Sequence, residues 1–309
     1  ARTYSWDGLA RFRQGGLWGF VDLAGQVVVP PRFVDARPFR GGLCAVKVGD
    51  KAWRTIDRAG HFMGEETFQD LGVFGTNGLA RAVPSGTTRL QGFVDREGRW
   101  VVEPGLAAAH PFGELAVTPA STDGDTWGLV DARGHWVLKP RHARIDAFNS
   151  EGLAFFQGTE MGDRGYLDAK GRVAVQGAHY LSERMVHGLV ADSYNGSEFR
   201  RANGQRLPTP PLDCGSAFQE KSGVAVVRAC ERQGDGARPA AWGLLHTDGR
   251  VFTVGDALLE PMTDSQGWLE GEDPHAPLLQ FLTRDGQVAW VDRESAIVWR
   301  ARYDGLHAT

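Results

Sequence analysis

Lysine, cysteine and long apolar runs are scarce in this 309-residue chain. Lysine occurs only at Lys47, Lys51, Lys139, Lys170 and Lys221, and 34 basic residues stand against 38 acidic ones. No basic field exists to recruit nucleic acid. No apolar stretch approaches the roughly 20 residues that a membrane helix needs, which excludes a helical span. Apolar spacing of three and four residues with capping signals is absent, so little or no helix is expected. Among the nine histidines only His135 and His142 approach metal-ligand spacing, without cysteine or carboxylate partners, and no metal or other cofactor is expected. A nucleophile elbow, a phosphate-cradling glycine loop and a dinucleotide fingerprint are all missing. Of the three cysteines, Cys44 lies in the apolar stretch Leu43-Cys44-Ala45-Val46 and reads as core. A bridge between Cys214 and Cys230 would imply an oxidising compartment, but an odd count does not decide it. The start at Ala1 fits a mature form after signal removal and equally a trimmed chain. Periplasm and cytoplasm both stay open.

What the chain does have is a phrase written eight times. Its clearest copies are Trp18-Gly19-Phe20-Val21-Asp22 and Trp127-Gly128-Leu129-Val130-Asp131. Anchored on the aspartate, the copies fall at Asp22, Asp57, Asp95, Asp131, Asp168, the degenerate Arg201 and His246, and Asp292. The successive intervals are 35, 38, 36, 37, 33, 45 and 46 residues. Such a period means stacked supersecondary units, none able to bury its apolar face alone. The expectation is a single all-β repeat domain over 1–309, with three to four short strands per unit.

Each part of a unit has a physical role. A small-residue strand comes first, as in Gly8-Leu9-Ala10-Arg11-Phe12 and Gly78-Leu79-Ala80-Arg81-Ala82. The Trp-Gly strand follows and ends in Asp, with Gly three residues on, as in Asp22 and Gly25 or Asp131 and Gly134. Asp accepts amide hydrogen bonds and Gly supplies positive φ, so this is a hairpin turn and the repeated Asp is structural. A third, β-branched strand such as Val27-Val28-Val29 is expected to end at Pro30, Pro104 or Pro140, since proline cannot donate to a ladder. An irregular stretch with a buried aromatic comes next: Phe39, Phe74, Phe112, Phe148 or Phe218. Trp18, Trp53, Trp127, Trp242 and Trp290 recur at one position and are expected to pack between units.

On these residues the units resemble WG repeats, a bacterial family of β-repeats marked by a Trp-Gly pair. The resemblance runs from about Trp6 to Asp304. It weakens at Trp53-Arg54, Gln91-Gly92 and Arg164-Gly165, at Phe199-Arg200-Arg201, where Asn203-Gly204 remains, and at Ser295 after Asp292. Eight such units close into a propeller-like ring or stack as an open solenoid. The ring is favoured, because Gly8-Leu9-Ala10 can complete a last blade opened by Trp290 to Trp299.

Function is sought where the repeat breaks. Two long intervals mark insertions, one with Arg232 and Arg238, the other with Asp256, Glu260, Asp264, Glu270, Glu272 and Asp273 around Trp268. An acidic loop with apolar anchors resembles a protein-binding rim. A solvated loop with one tucked aromatic is the plainer alternative. The segment Ser121 to Trp127 resembles the Asp-box of sialidase-like propellers but is one residue short, and reads as a polar hairpin loop. The leading expectation is a non-enzymatic protein whose partner is another protein, either a toxin or effector that it neutralises or an envelope component. The alternatives are a carbohydrate- or peptidoglycan-binding module using Trp100, Trp136, Trp268 or Trp299, and a hydrolase with carboxylates assembled between blades.

Overall fold

The computed structural model describes residues 7–86, 89–160, 162–177, 181–192, 198–209, 212–215, 223–229, 242–253, 258–261, 279–283, 287–291 and 297–302. Every regular element among them is a strand. The first repeat supplies β1 (Ala10–Gln14), β2 (Leu17–Val21) and β3 (Val27–Phe33) as a three-stranded sheet. The second supplies β4 (Asp35–Ala36), β5 (Leu43–Gly49), β6 (Ala52–Asp57) and β7 (Phe62–Leu71). The third adds β8 (Ala80–Pro84), β9 (Gln91–Val94) and β10 (Trp100–Leu106), and β7 joins the two into one seven-stranded sheet. The fourth is a four-stranded meander of β11 (Ala108–Ala109), β12 (Val117–Ser121), β13 (Trp127–Asp131) and β14 (Trp136–His142).

The fifth repeat contains β15 (Arg144–Ile145), β16 (Leu153–Gln157), β17 (Arg164–Asp168) and β18 (Val173–Gln176). The chain divides there into two compact units, Ala1–Met161 with Leu167–Val173, and Gly162–Tyr166 with Ala174–Thr309. The sixth repeat contributes the pair β19 (Leu189–Ala191) and β20 (Phe199–Arg201). The seventh is the meander β21 (Leu212–Gly215), β22 (Val224–Ala229), β23 (Trp242–His246) and β24 (Val251–Thr253). The eighth is the meander β25 (Leu258–Pro261), β26 (Leu279–Thr283), β27 (Gln287–Val291) and β28 (Ile297–Arg302).

This inventory corrects the expected join of the chain ends. The eighth sheet already has four strands, with β26 in the place foreseen for the N-terminal strand, and β1 pairs with β2 in the first sheet instead. The opening strands themselves, such as β4 and β11, lie in the stretch expected to be irregular.

The turns form as expected. In the fourth repeat the Gly134 amide donates to the Asp131 carbonyl at 3.0 Å, and the Asp131 carboxylate accepts from the Arg133 and His135 amides at 2.9 and 2.8 Å. Gly134 adopts φ 84°, which an L side chain resists. In the degenerate repeats the turn survives because its acceptor moves two residues along. The Asn203 side chain accepts from the Gln205 amide at 3.0 Å, and the Asp248 carboxylate from the Arg250 amide at 2.9 Å. Gly204 and Gly249 still donate to the Arg201 and His246 carbonyls. The turn after Asp292 lies outside the described residues.

Proline does not end the third strand. β3, β10 and β14 run on to Phe33, Leu106 and His142. The partners Phe20↔Val29 and Trp18↔Phe33 show why: a step of two residues on β2 faces a step of four on β3, so the proline sits in a bulge. The missing N–H therefore removes no ladder bond. The same step recurs between β9 and β10 and between β13 and β14.

This bulge explains the Trp-Gly pair. A Cβ on Gly19 would stand 2.6 Å from the Val29 carbonyl oxygen and 2.8 Å from Pro31 N. On Gly128 it would overlap the Leu138 oxygen and stand 2.7 Å from Pro140 N, and on Gly92 it would overlap the Val102 oxygen. The bulged backbone thus crosses the motif strand at the one position with no side chain.

Core lies between successive repeats. Phe20, Val29 and Phe33 pack with Ala36, Phe39, Cys44, Val46 and Ile56 of the next unit. Phe93 packs with Ala109, Phe112, Ala120 and Val130. In the second compact unit, Val224, Val226 and Leu244 meet Phe281, Ala289 and Val291. The fully buried aromatics are mostly phenylalanines, with Phe20 edge-on to Phe39 and Phe93 edge-on to Phe112, each at 4.7 Å. Each such pair adds roughly 1 kcal/mol to its area burial. Trp53 is buried as expected, while Trp18 and Trp127 are half-buried at the margin of the core. Cys44 is buried and free, and burial pushes its thiol up, far from the thiolate. The side chains of Cys214 and Trp242, and all of Phe218 and Cys230, lie outside the described residues.

Candidate binding site

In the first compact unit the loops between the repeated phenylalanine and the next strand converge. They are Phe39-Arg40-Gly41-Gly42-Leu43, Phe74-Gly75-Thr76-Asn77-Gly78-Leu79, Phe112-Gly113-Glu114-Leu115 and Phe148-Asn149-Ser150-Glu151-Gly152-Leu153. Three of them are closed by their own backbone. Arg40 N donates to the Leu43 carbonyl at 2.9 Å, Gly75 N to Leu79 at 2.8 Å, and Asn149 N to Leu153 at 2.9 Å. Asn149 reinforces its loop, its side-chain oxygen accepting from the Glu151 and Leu153 amides at 3.0 Å each. Neighbouring loops also touch, because Thr76 Oγ1 donates to the Gly113 carbonyl at 2.9 Å.

Between them lies a cavity of about 400 Å³, lined by Arg40, Glu114, Leu115, Phe148, Asn149 and Ser150 among others. Its walls are anchored below. Thr118 is buried and donates to the His110 and Pro111 carbonyls at 2.9 and 3.2 Å. The His110 ring lies 5.2 Å from Trp127, and burial lowers its pKa against the pull of Asp146, so it stays neutral at pH 7. Arg40 is half-buried, Glu114 and Ser150 are exposed, and the side chains of Arg40 and Glu114 make no ion pair among the described residues. The cavity offers a guanidinium, an amide, a hydroxyl and one carboxylate over an apolar floor. That composition suits recognition of a polar group with an apolar neighbour.

Sequence reasoning passed over these residues because the phenylalanine and the Gly-Leu strand both read as packing. The available signal was the stretch between them, which changes from repeat to repeat inside a constant frame.

The residues chosen from the insertions are placed differently. Glu260 lies on β25, where its backbone pairs with Leu282. Arg232, Arg238, Asp256, Asp264, Trp268, Glu270, Glu272 and Asp273 lie outside the described residues. The segment Ser121 to Trp127 is the expected hairpin loop. The Asp123 carboxylate accepts from the Thr126 amide and hydroxyl, the Asp125 amide and the Ser121 hydroxyl at 2.7 to 2.9 Å, which holds its pKa far below the usual range. No cluster of three His, Cys, Asp or Glu side chains suited to a metal occurs among the described residues. No helix there is long and apolar enough to cross a membrane.

The family model described as WG containing repeat matches residues 18–51, 92–114 and 127–157. Those three segments are WG repeats by that match. Each matched segment contains a motif glycine with bulged backbone laid across it, Gly19, Gly92 or Gly128. No curated protein matches the sequence. Among solved structures, this chain is similar to Hsv2 of Kluyvelomyces marxianus, at 8% identity and TM-score 0.40 over 97% of each chain. It is also similar to BamB of Moraxella catarrhalis, at 12% and 0.34 over 99% of this chain and 88% of that one. The Cps50 (Swd1) beta-propeller domain of Myceliophteria thermophila matches at 12% and 0.31, over 94% and 88%. At such scores none of them bears on function.

Proposed function

We propose that this chain is a non-enzymatic scaffold whose eight repeats close into a propeller-like ring and whose loops bind another protein. The observation that carries the reading is the loop frame of the first compact unit. Strands, turns and phenylalanines repeat there, while Arg40, Glu114, Asn149 and Ser150 differ at corresponding places around one cavity. A constant scaffold with variable loops is how repeat folds build recognition surfaces.

The partner class proposed is a toxin or effector that the chain neutralises, or an envelope component, engaged by the loops of the first compact unit, with the acidic insertion around Trp268 proposed as a second, separate contact. Two tryptophans of the glycan alternative are already committed to packing, since Trp100 and Trp136 lie half-buried against the cores of their repeats. That favours a protein over a sugar.

A photo-crosslinking residue placed at Ser150 and, separately, at Trp268 tests the reading in the native host. One protein joined at either position supports it, and glycan retention by the chain with no protein adduct at either overturns it. Deleting 262–274, which spares β25, is expected to leave the fold intact and weaken partner binding by more than about tenfold.

A further inference from the structure

We infer that the cavity around Arg40 is a receptor for a single carboxylate attached to an apolar group, such as a peptide's free C-terminus. The inference rests on the protein-binding reading and specifies what the partner presents. Arg40 supplies the reason for an anion. Its backbone is pinned by paired hydrogen bonds with Leu43, at 2.9 and 3.2 Å, so the side chain projects from a fixed point. Arg40 is half-buried as a residue, and its guanidinium has no side-chain partner among the described residues. A guanidinium without an acceptor favours an incoming oxyanion, and its planar fork matches a carboxylate in two-point contact.

The neighbouring donors agree. The Asn149 oxygen is spent on the Glu151 and Leu153 amides, which leaves its NH₂ group to donate toward a ligand. The Ser150 hydroxyl is exposed in the same cavity. Thr118 contributes nothing here, because its proton already serves the His110 and Pro111 carbonyls.

Glu114 narrows the class. A carboxylate in the same lining repels a dianion such as phosphate more than a monoanion, and it disfavours nucleic acid altogether. Leu115, Val117 and Phe148 are half-buried along the wall and offer apolar surface to the group that carries the carboxylate. At about 400 Å³ the space holds one or two residues of a peptide, not a folded domain.

Fluorescence anisotropy on the full chain tests this, using an N-terminally labelled hexapeptide ending in leucine with a free carboxylate, and its C-terminal amide. The expected result is saturable binding of the free acid, weakened about tenfold or more by amidation, and weakened equally by Arg40→Gln with an unchanged melting temperature. Hexanoate as competitor distinguishes the sources: competition as strong as unlabelled peptide assigns the site to small carboxylates, and weaker competition assigns it to chain termini. Glu114→Gln is expected to let inorganic phosphate compete where it does not against the parent. Equal binding of acid and amide, an indifferent Arg40→Gln variant, no binding of any carboxylate probe, or phosphate competing with the parent would each overturn the inference. If those results accompany a persistent protein adduct at Ser150, the scaffold reading survives and only the carboxylate assignment falls.

Discussion

In the third repeat the Val102 carbonyl lies over the bare Cα of Gly92, whereas in the second the corresponding residue is Arg54 and the strand opposite takes another path. There the partners Thr55↔Met63 and Trp53↔Phe68 set a step of two against a step of five, one residue more than elsewhere. Gly64 turns the chain outward at φ 73°, and Arg54 Nη2 donates to its carbonyl at 2.8 Å. The Arg54 guanidinium also lies 4.0 Å from the centre of the Phe62 ring. Glu66 stands where the other repeats have Pro31, Pro104 or Pro140, and β7 runs unbroken into the third repeat. The glycine lost from the motif thus reappears seven residues after the anchor aspartate, as Gly64. The pair teaches that Trp-Gly encodes a backbone crossing, which a long side chain can replace only if the opposite strand is rebuilt.

Breaking the standard crossing should cost most. Gly92→Val places two further carbons against fixed backbone and is expected to lose about 4 kcal/mol or more, seen as loss of soluble folded protein. Gly64→Ala attacks the rebuilt version: its Cβ meets the Glu97 carbonyl at a positive φ, for an expected loss of about 2–3 kcal/mol by urea titration. Asp131→Ala leaves the Arg133 and His135 amides without their acceptor and should cost about 1–2 kcal/mol in the same titration, with Asp131→Asn recovering much of it. Arg54→Ala removes one hydrogen bond and one ring contact at a half-exposed site, for about 1 kcal/mol or less.

The turn carboxylates add a pH dependence whose sign follows from their hydrogen bonds. Partial burial pushes the Asp57, Asp131 and Asp168 carboxyls up, but amide hydrogen bonds and nearby His61, His135 and Arg172 outweigh it, leaving all three lowered. Groups lowered in the folded state contribute stability that is full above their unfolded value, near 4, and lost as pH falls through the folded one. The urea midpoint should therefore decline below about pH 4, and less steeply in Asp131→Asn.

The turns and the strand order were legible because Asp, Gly and β-branched residues act locally, within a few positions of one another. The opening strands were not, since Asp35–Ala36 and Ala108–Ala109 are two residues long and show no alternation. The proline bulges were misread as strand ends because their cause, Gly19 or Gly128, lies on the neighbouring strand. Phe39, Phe74 and Phe112 were legible as buried aromatics, whereas Phe148, Trp18 and Trp127, expected in the core as well, stand half-buried at its margin because the inward motif-strand positions belong to Phe20 and Phe93. The Arg40 cavity was invisible for a different reason: Arg40 and Asn149 are remote in sequence and meet only through the stacking of repeats.

The most direct test sets Gly128→Ala beside Arg54→Ala in equilibrium urea unfolding followed by tryptophan fluorescence. If the motif glycine is a crossing point, the added methyl at 128, which overlaps the Leu138 oxygen, lowers stability by about 3 kcal/mol, and the Arg54 truncation by no more than about 1 kcal/mol. A Gly128→Ala variant within about 0.5 kcal/mol of the parent would contradict that account.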